Sequence, residues 1–382
     1  MVFRLQSDPR LWRPHASMSQ RRKQIGFRVA TLLITCLLAV MLGEGVMRLY
    51  VWARGWTPNC YAADLDLYQP HPSRGSEFRP EFRLRSGVFQ IAVNRWGLRG
   101  PNIPREKPAG VTRVAILGGS SVFGYFVNDG QEAARLLEKK LDRPGRAVEV
   151  LNAGVPGYNL FQTLGRFEER VVPLEPDIVV LYLGWNDLPY ICSEQPRDLR
   201  HQIRPIASTY ERRLGQSTLF GFVKYRLWGV SPPALLPRRV RQAIPTAAGR
   251  RCFRENLDKL ADAIERSGAT MLVSAQCVAA RDDVSSELQR LLFRDNQKRS
   301  AKIGKRLIEL GDLLRSTLQT FARERRAPFI DLNQTMAADA TILRDYVHLT
   351  VLGEQRLAAG WAVGLAPLLE GRSDAVVEEP DP

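Results

Sequence analysis

The sequence predicts an α/β protein: a three-layer, doubly wound, five-stranded parallel sheet, preceded by a transmembrane helix and interrupted by a basic insertion. Three observations predict it. Five short apolar runs alternate with segments whose apolar residues recur at helical spacing. Polar residues of chemical interest stand directly after those runs, and a long uncharged stretch follows a basic N-terminus.

The chain has 382 residues, 45% of them hydrophobic, which suits one large α/β core with attachments. Its formal charge of +15 invites a nucleic-acid reading. The distribution argues against a nucleic-acid partner: residues 1–28 carry seven Lys/Arg against Asp8 alone, and residues 193–254 carry thirteen against Glu194, Asp198 and Glu211. The rest of the chain is close to neutral, so the basic charge belongs to attachments.

Residues 1–28 read as a basic cytoplasmic tail and residues 29–52 as a membrane anchor. "VATLLITCLLAVMLG" holds fifteen residues without a charge, and extension to Trp52 reaches the ~20 residues a bilayer core requires if Glu44 packs against protein or snorkels. The basic flank stays cytoplasmic, which puts the chain after about residue 55 outside, with Tyr50, Trp52 and Trp56 at the outer interface. A cleaved signal peptide shares these features, but no small-x-small site follows the apolar run cleanly, so an uncleaved anchor is expected. Residues 57–110, rich in Pro and Arg, form an N-terminal extension.

The main domain runs from 111 to 370. "RVAILGG" (113–119), "AVEVLNAG" (147–154), "DIVVLYLG" (177–184), "ATMLVSAQ" (269–276) and "APFIDLN" (327–333) have strand character; 131–142, 159–172, 255–268, 303–325 and 352–369 have helical character. Strands alternating with helices imply a parallel sheet covered on both faces, with ligands beyond the carboxyl ends of the strands. The insertion, about 189–251, should then lie beside the site. Its "TLFGFVKYRLWGV" mixes aromatics with Lys224 and Arg226 and suits an amphipathic lid or a membrane-surface contact, while its charge suits an acidic glycan or simply a solvated face. Residues 371–382 read as a disordered acidic tail.

Five cysteines include Cys36 in the anchor and Cys60, Cys192, Cys252 and Cys277 outside it. Outside the cytoplasm Cys192 and Cys252 can pair across the ends of the insertion, or remain free thiols. No CxxC or HExxH occurs, so no metal or cofactor is implied.

Polar residues at the strand ends are Ser120 and Ser121, Asn152, Asn186 and Asp187, and, after the fifth strand, Asp345 and His348. A hydroxyl, an imidazole, a carboxylate and amide donors are the parts of an acyl-transfer site. Taken singly they have plainer roles: a serine cap, an Asx-turn at Asn186, a turn at Gly157, an N-cap at Asp345. Asn152 and Asp187 read as supports for loops.

Four ordered blocks resemble the SGNH (GDSL-type) hydrolase superfamily, in the form of its membrane-anchored bacterial members. "GGSSVFG" is similar to the first block, which implies Ser120 as nucleophile and Gly124 as the trailing glycine. "NAGVPG" resembles the second, with Gly157 as an oxyanion donor, and "GWND" the third, with Asn186 as the side-chain donor. "DYVH" resembles the last, implying Asp345 as orienter and His348 as base; the Ser120 backbone N–H completes the oxyanion hole. Gly119 stands where the family has Asp, and "VNRWGLRGP" (93–101) resembles a segment of anchored relatives. The resemblance implies a flavodoxin-like fold and a serine esterase acting on an O-acyl ester of a cell-envelope glycan or lipid. The same site would serve an O-acyltransferase; a non-catalytic envelope-binding or scaffold protein would be expected to lack the Ser or the His.

Overall fold

The computed structural model describes residues 18–57, 60, 66–86, 89–196, 208–228, 244–288 and 297–373. Most of the expected cytoplasmic tail, the Pro232–Pro233 pair in the insertion and the acidic tail beyond 373 lie outside the described residues. Helix α1 (Met18–Ala53) begins well before the expected anchor and ends one residue after it. Two antiparallel hairpins follow: β1 (Tyr68–His71) with β2 (Gly75–Phe78), and β3 (Arg83–Arg85) with β4 (Gln90–Ala92). The main domain then runs β5 (Val111–Gly118), α2 (Ser120–Phe123), α3 (Ala133–Leu141), β6 (Ala147–Asn152), α4 (Leu160–Arg166), β7 (Ile178–Tyr182) and α5 (Leu188–Ile191). Within the insertion are α6 (Thr209–Gly215) and α7 (Thr218–Trp228). The chain closes with α8 (Ala247–Arg266), β8 (Thr270–Ala275), α9 (Gln297–Glu324), β9 (Phe329–Asp331), α10 (Leu332–Thr335) and α11 (Val351–Ser373).

The five-stranded sheet has the order β6-β5-β7-β8-β9 and every pairing is parallel. All five residues of β7 are buried, as a central strand covered on both faces requires. Helices α3 and α11 pack together on one face; α8 packs against α4, and α8 and α9 against β8, on the other. The helices follow their sequence patterns: α3 buries Ala133, Ala134, Leu137 and Leu141 and places Lys139 and Lys140 in its last turn, where the helix dipole favours cations. Capping fixes other ends, as at α4, where Asn159 and Gln162 form a reciprocal capping box. Trp361 is fully buried under the sheet, edge-on to Tyr182, and donates its indole N–H to Ser274 Oγ at 3.2 Å. Because the chain reverses direction across the sheet between β5 and β7, the crevice beyond those two strands is the natural ligand position.

The 57–110 stretch, read only as an extension, builds a second small core. Val51, Leu67, Tyr68, Phe78, Leu84, Ile91 and Val93 pack there against Phe123, Val155 and Tyr158 of the main domain. Arg99, in the "VNRWGLRGP" segment, is buried and donates to the carbonyls of Phe123, Gly124 and Val127 at 2.6, 2.6 and 2.7 Å. Arg166, also buried, donates to Ala153 O at 2.9 Å and Gly97 O at 2.6 Å, and desolvation lowers its pKa to about 10. These guanidiniums satisfy carbonyls of the loops that follow β5 and β6.

Of the two alternatives for Cys192 and Cys252, the structure has the free thiols, so no disulfide joins the ends of the insertion. Thr246 N bonds to Ile191 O at 2.9 Å and Thr246 Oγ1 to Ser193 O at 2.6 Å, which closes the neck of the insertion with one backbone and one side-chain hydrogen bond. Within the insertion, α7 packs against α1 and α6 against α7.

Candidate active site

The turn after β5 is shaped by close packing. A Cβ on Gly118 would collide with Tyr182 O and Val122, so only glycine lets β5 run against β7 at its end. Gly119 is extended (φ −95, ψ −144), Ser120 opens α2, and Gly124 ends that single turn at φ +78, where a side chain would be strained. Gly119 explains its departure from the family pattern: a Cβ there would fall against Asn186 Nδ2, so the missing side chain leaves the space that the Asn186 amide occupies.

The loop after α10 carries the imidazole. Asp345 Oδ1 accepts the backbone N–H groups of Val347 at 2.9 Å and His348 at 2.8 Å, folding the loop around its own carboxylate. The loop is fastened from outside by Ala279 N to Tyr346 O at 2.8 Å, by Tyr346 stacked on Trp185, and by Ser121 Oγ, which donates to Val347 O at 3.0 Å. His348 Nδ1 lies 2.7 Å from Asp345 Oδ2, and its Nε2 lies 2.7 Å from Ser120 Oγ. A carboxylate can only accept, so this pairing puts the proton on Nδ1 and leaves Nε2 to receive the serine hydroxyl. Residues 225 or more positions apart in the chain are thereby joined in one hydrogen-bonded series.

The donors expected around an oxyanion converge on the same edge. Asn186 lies in the 3-10 turn after Gly184, whose φ of +120 reverses the chain out of β7. Its Nδ2 donates one hydrogen to Tyr158 O at 2.8 Å, tying it to the loop that contains Gly157, and the second hydrogen remains for a ligand. Gly157 adopts φ +83, with open space where a side chain would stand, and among the described residues its N–H has no hydrogen-bond partner. Asn152 and Asp187 support these loops from below. Asn152 Nδ2 donates to Val122 O at 2.9 Å beneath α2, and Asp187 Oδ1 accepts Leu160 N at 2.8 Å. Complete burial pushes the Asp187 carboxyl up to about 7.

Sequence reasoning missed the aromatic surroundings of His348. Tyr125 lies tilted over the imidazole at 5.3 Å between ring centroids, Phe126 stands edge-on at 5.4 Å, and the Arg344 guanidinium sits 4.5 Å above the Phe126 ring. Their trace in the sequence is the "YF" directly after Gly124, a pattern that a core-filling pair would share. Tyr125 and Phe126 are half-buried, so they shield one side of the imidazole while keeping faces open to a ligand.

These positions define a class of protein first: an α/β enzyme whose reactive groups stand on loops beyond the carboxyl ends of a doubly wound parallel sheet. The GDSL-like lipase/acylhydrolase family model then matches residues 116–356, and the chain belongs to that family, whose chemistry is the hydrolysis of ester bonds. Solved structures similar to it include a lipase/acylhydrolase from Enterococcus faecalis, at 19% identity over 66% of this chain and 95% of that one, TM-score 0.39. A GDSL-like lipase from Bacteroides thetaiotaomicron is 15% identical over 68% of this chain and 89% of that one, TM-score 0.38. An acetylxylan esterase from Geobacillus stearothermophilus, solved as a catalytic mutant, is 14% identical over 66% and 94%, TM-score 0.40. No curated protein matches the chain.

Proposed function

We propose that the protein is a membrane-anchored serine esterase that removes an O-acyl group from a cell-envelope glycan or lipid through an acyl-serine intermediate. The observation that carries this reading is the series Ser120 Oγ, His348 Nε2, His348 Nδ1, Asp345 Oδ2, with 2.7 Å at each of its two hydrogen bonds. A serine hydroxyl is a weak nucleophile at neutral pH, so His348 takes its proton as Oγ bonds to the acyl carbon. The carbonyl electrons move onto oxygen, which meets the N–H groups of Ser120 and Gly157 and the amide of Asn186. Collapse of the tetrahedral species expels the alcohol, which receives the proton from His348. Water then attacks the acyl-serine, gives its proton to His348, and the acid leaves as Ser120 Oγ recovers that proton. Asp345 holds the ring and stabilises the imidazolium in both halves.

The membrane part rests on α1. Its apolar residues from Ile25 to Leu42 are exposed on all sides, and the segment Gln20–Ala53 is long and apolar enough to cross a bilayer. Thr31 and Thr35 return their hydroxyls to the helix carbonyls of Phe27 and Thr31, each at 2.9 Å, so they carry no unpaired donor into lipid. The basic start of the helix sets the N-terminus in the cytoplasm and the esterase domain outside.

The test uses the full chain in detergent with short-chain aryl esters, alongside Ser120→Ala, and a serine-directed phosphonate. Acyl release by the wild type alone, with phosphonate on Ser120, is expected. No release and no labelling of Ser120 overturn the esterase reading, and transfer of the acyl group to an added sugar in preference to water would make the protein an acyltransferase. Protease access in intact spheroplasts checks orientation, a protected C-terminal domain being the contrary result.

A further inference from the structure

Glu44 is a charged residue within a helix that otherwise reads as a membrane span, and such residues call for a partner. Its partner is the start of α7. Glu44 Oε1 accepts Thr218 N at 3.0 Å, and Oε2 accepts Leu219 N at 2.9 Å and Ser217 Oγ at 2.7 Å. Ser217 Oγ in turn accepts Phe220 N at 3.0 Å. The carboxylate of one helix therefore satisfies the otherwise orphaned first N–H groups of another, at the end where the dipole favours negative charge. Arg48 closes the arrangement, with Nε on Glu44 Oε1 at 2.6 Å and Nη2 on Gln216 O at 3.3 Å. Gly43 allows the approach, since a Cβ there would stand 3.1 Å from Leu219 Cδ2.

The face that α7 turns away from this junction is apolar. Thr218 and Gly221 are buried and Leu219 faces Gly43 of the anchor, whereas Val223 and Leu227, four residues apart and so in one stripe on one side of the helix, are 41% and 69% accessible. Lys224 and Arg226 border the stripe on opposite sides by helical geometry. An apolar stripe flanked by cations suits a helix lying at a bilayer interface with its cationic heads reaching the phosphates.

We propose that α7 is a second membrane element: an interfacial helix in the outer leaflet, seated against the anchor by the Glu44 carboxylate and by Leu219 on Gly43, and presenting Val223 and Leu227 to lipid. The occupant of that stripe is lipid because α7 is seated on the helix whose apolar residues are exposed along the span, and the stripe carries cations at its borders. The inference rests on the membrane reading of α1, and the experiment separates the two. The full chain with Cys36→Ser is placed in phosphatidylcholine–phosphatidylglycerol nanodiscs with a bimane label at Leu227→Cys or, as the anchor control, Leu37→Cys. The parent without an added cysteine gives the background. Brominated acyl chains should quench Leu227 roughly half as strongly as Leu37, since an interfacial helix sinks about 5–10 Å into the boundary. Iodide should quench Leu227 weakly. In Glu44→Ala, which leaves aryl ester hydrolysis intact, bromolipid quenching at Leu227 should fall roughly twofold or more as the seat is lost. Quenching at Leu37 but not at Leu227, with Leu227 open to iodide, overturns the second element. Protection of Leu227 from both quenchers assigns the stripe to a protein partner and also overturns it, and unchanged quenching in Glu44→Ala overturns the role of the carboxylate. Absence of quenching at Leu37 overturns the anchor itself.

Discussion

Ser120 and His348 meet at 2.7 Å only because residues around them give up side chains or point theirs elsewhere. Ser121 is turned to Val347, and Gly119 yields its Cβ position to Asn186. In the proposed esterase, Asp345→Asn should cut kcat about 10⁴-fold by presenting the wrong tautomer, and Ser120→Ala should lose at least as much; steady-state hydrolysis of an aryl ester checks both. Gly119→Ala offers a sharper test. Its methyl displaces the Asn186 amide, and loss of one oxyanion donor predicts a fall in kcat of about 10²-fold or more with a melting temperature close to wild type. A variant that keeps its activity would separate Asn186 from the oxyanion. At this scale the sequence was legible for residues whose chemistry is uncommon at strand ends: Ser120, Gly157, Asn186, Asp345 and His348 all lie on one edge. Tyr125, Phe126 and Arg344 were not, because an aromatic after a glycine looks the same whether it fills a core or flanks an imidazole.

Among the elements, the five strands and their covering helices were readable because parallel strands buried on both faces leave long apolar runs, as in Ile178–Tyr182. The hairpins of the extension were not. Each has strands of only three or four residues, and Arg83-Leu84-Arg85 offers one buried side chain between two exposed arginines, too little for a periodic signal. What the insertion packs on was unreadable for a related reason: its position after β7 fixes where it leaves the sheet and not its partner, and the contact of α7 with Glu44 involves residues 173 or more positions apart. Helix α11 adds a pH-dependent prediction. Glu354 Oε2 accepts Ala133 N at the start of α3, and burial, joined by the repulsion of Glu132 and opposed by Arg99, pushes its carboxyl up to about 8. A carboxyl raised in the folded state costs stability as the unfolded chain ionises: the penalty is absent below pH about 4.5, grows as pH rises and is complete above about 8. Glu354→Gln should therefore match wild type near pH 4.5 and be more stable near pH 9 by on the order of a few kcal/mol, read as a higher melting temperature. A gain at low pH that vanishes at high pH would reverse the sign and refute it.

Across the whole molecule, α1 is more than a tether. Val51, on its last turn, is 2% exposed within the second core, and Thr57 N bonds to Arg85 O at 2.7 Å just beyond. In the full chain, Val51→Ala should lower stability by about 1.5 kcal/mol, the value of one buried aliphatic side chain; urea unfolding of wild type and variant in the same detergent measures the difference. Equal midpoints would show that Val51 contributes nothing. Because the last turn of the helix is itself part of the second core, the domain inherits the orientation of the helix. In the proposed setting the catalytic edge would sweep a thin shell parallel to the bilayer as the protein diffuses laterally. Its turnover would then follow the number of ester groups per unit area within that shell and be insensitive to how much soluble ester lies beyond it, so diluting the acylated molecule among inert lipids should slow it even at constant bulk concentration.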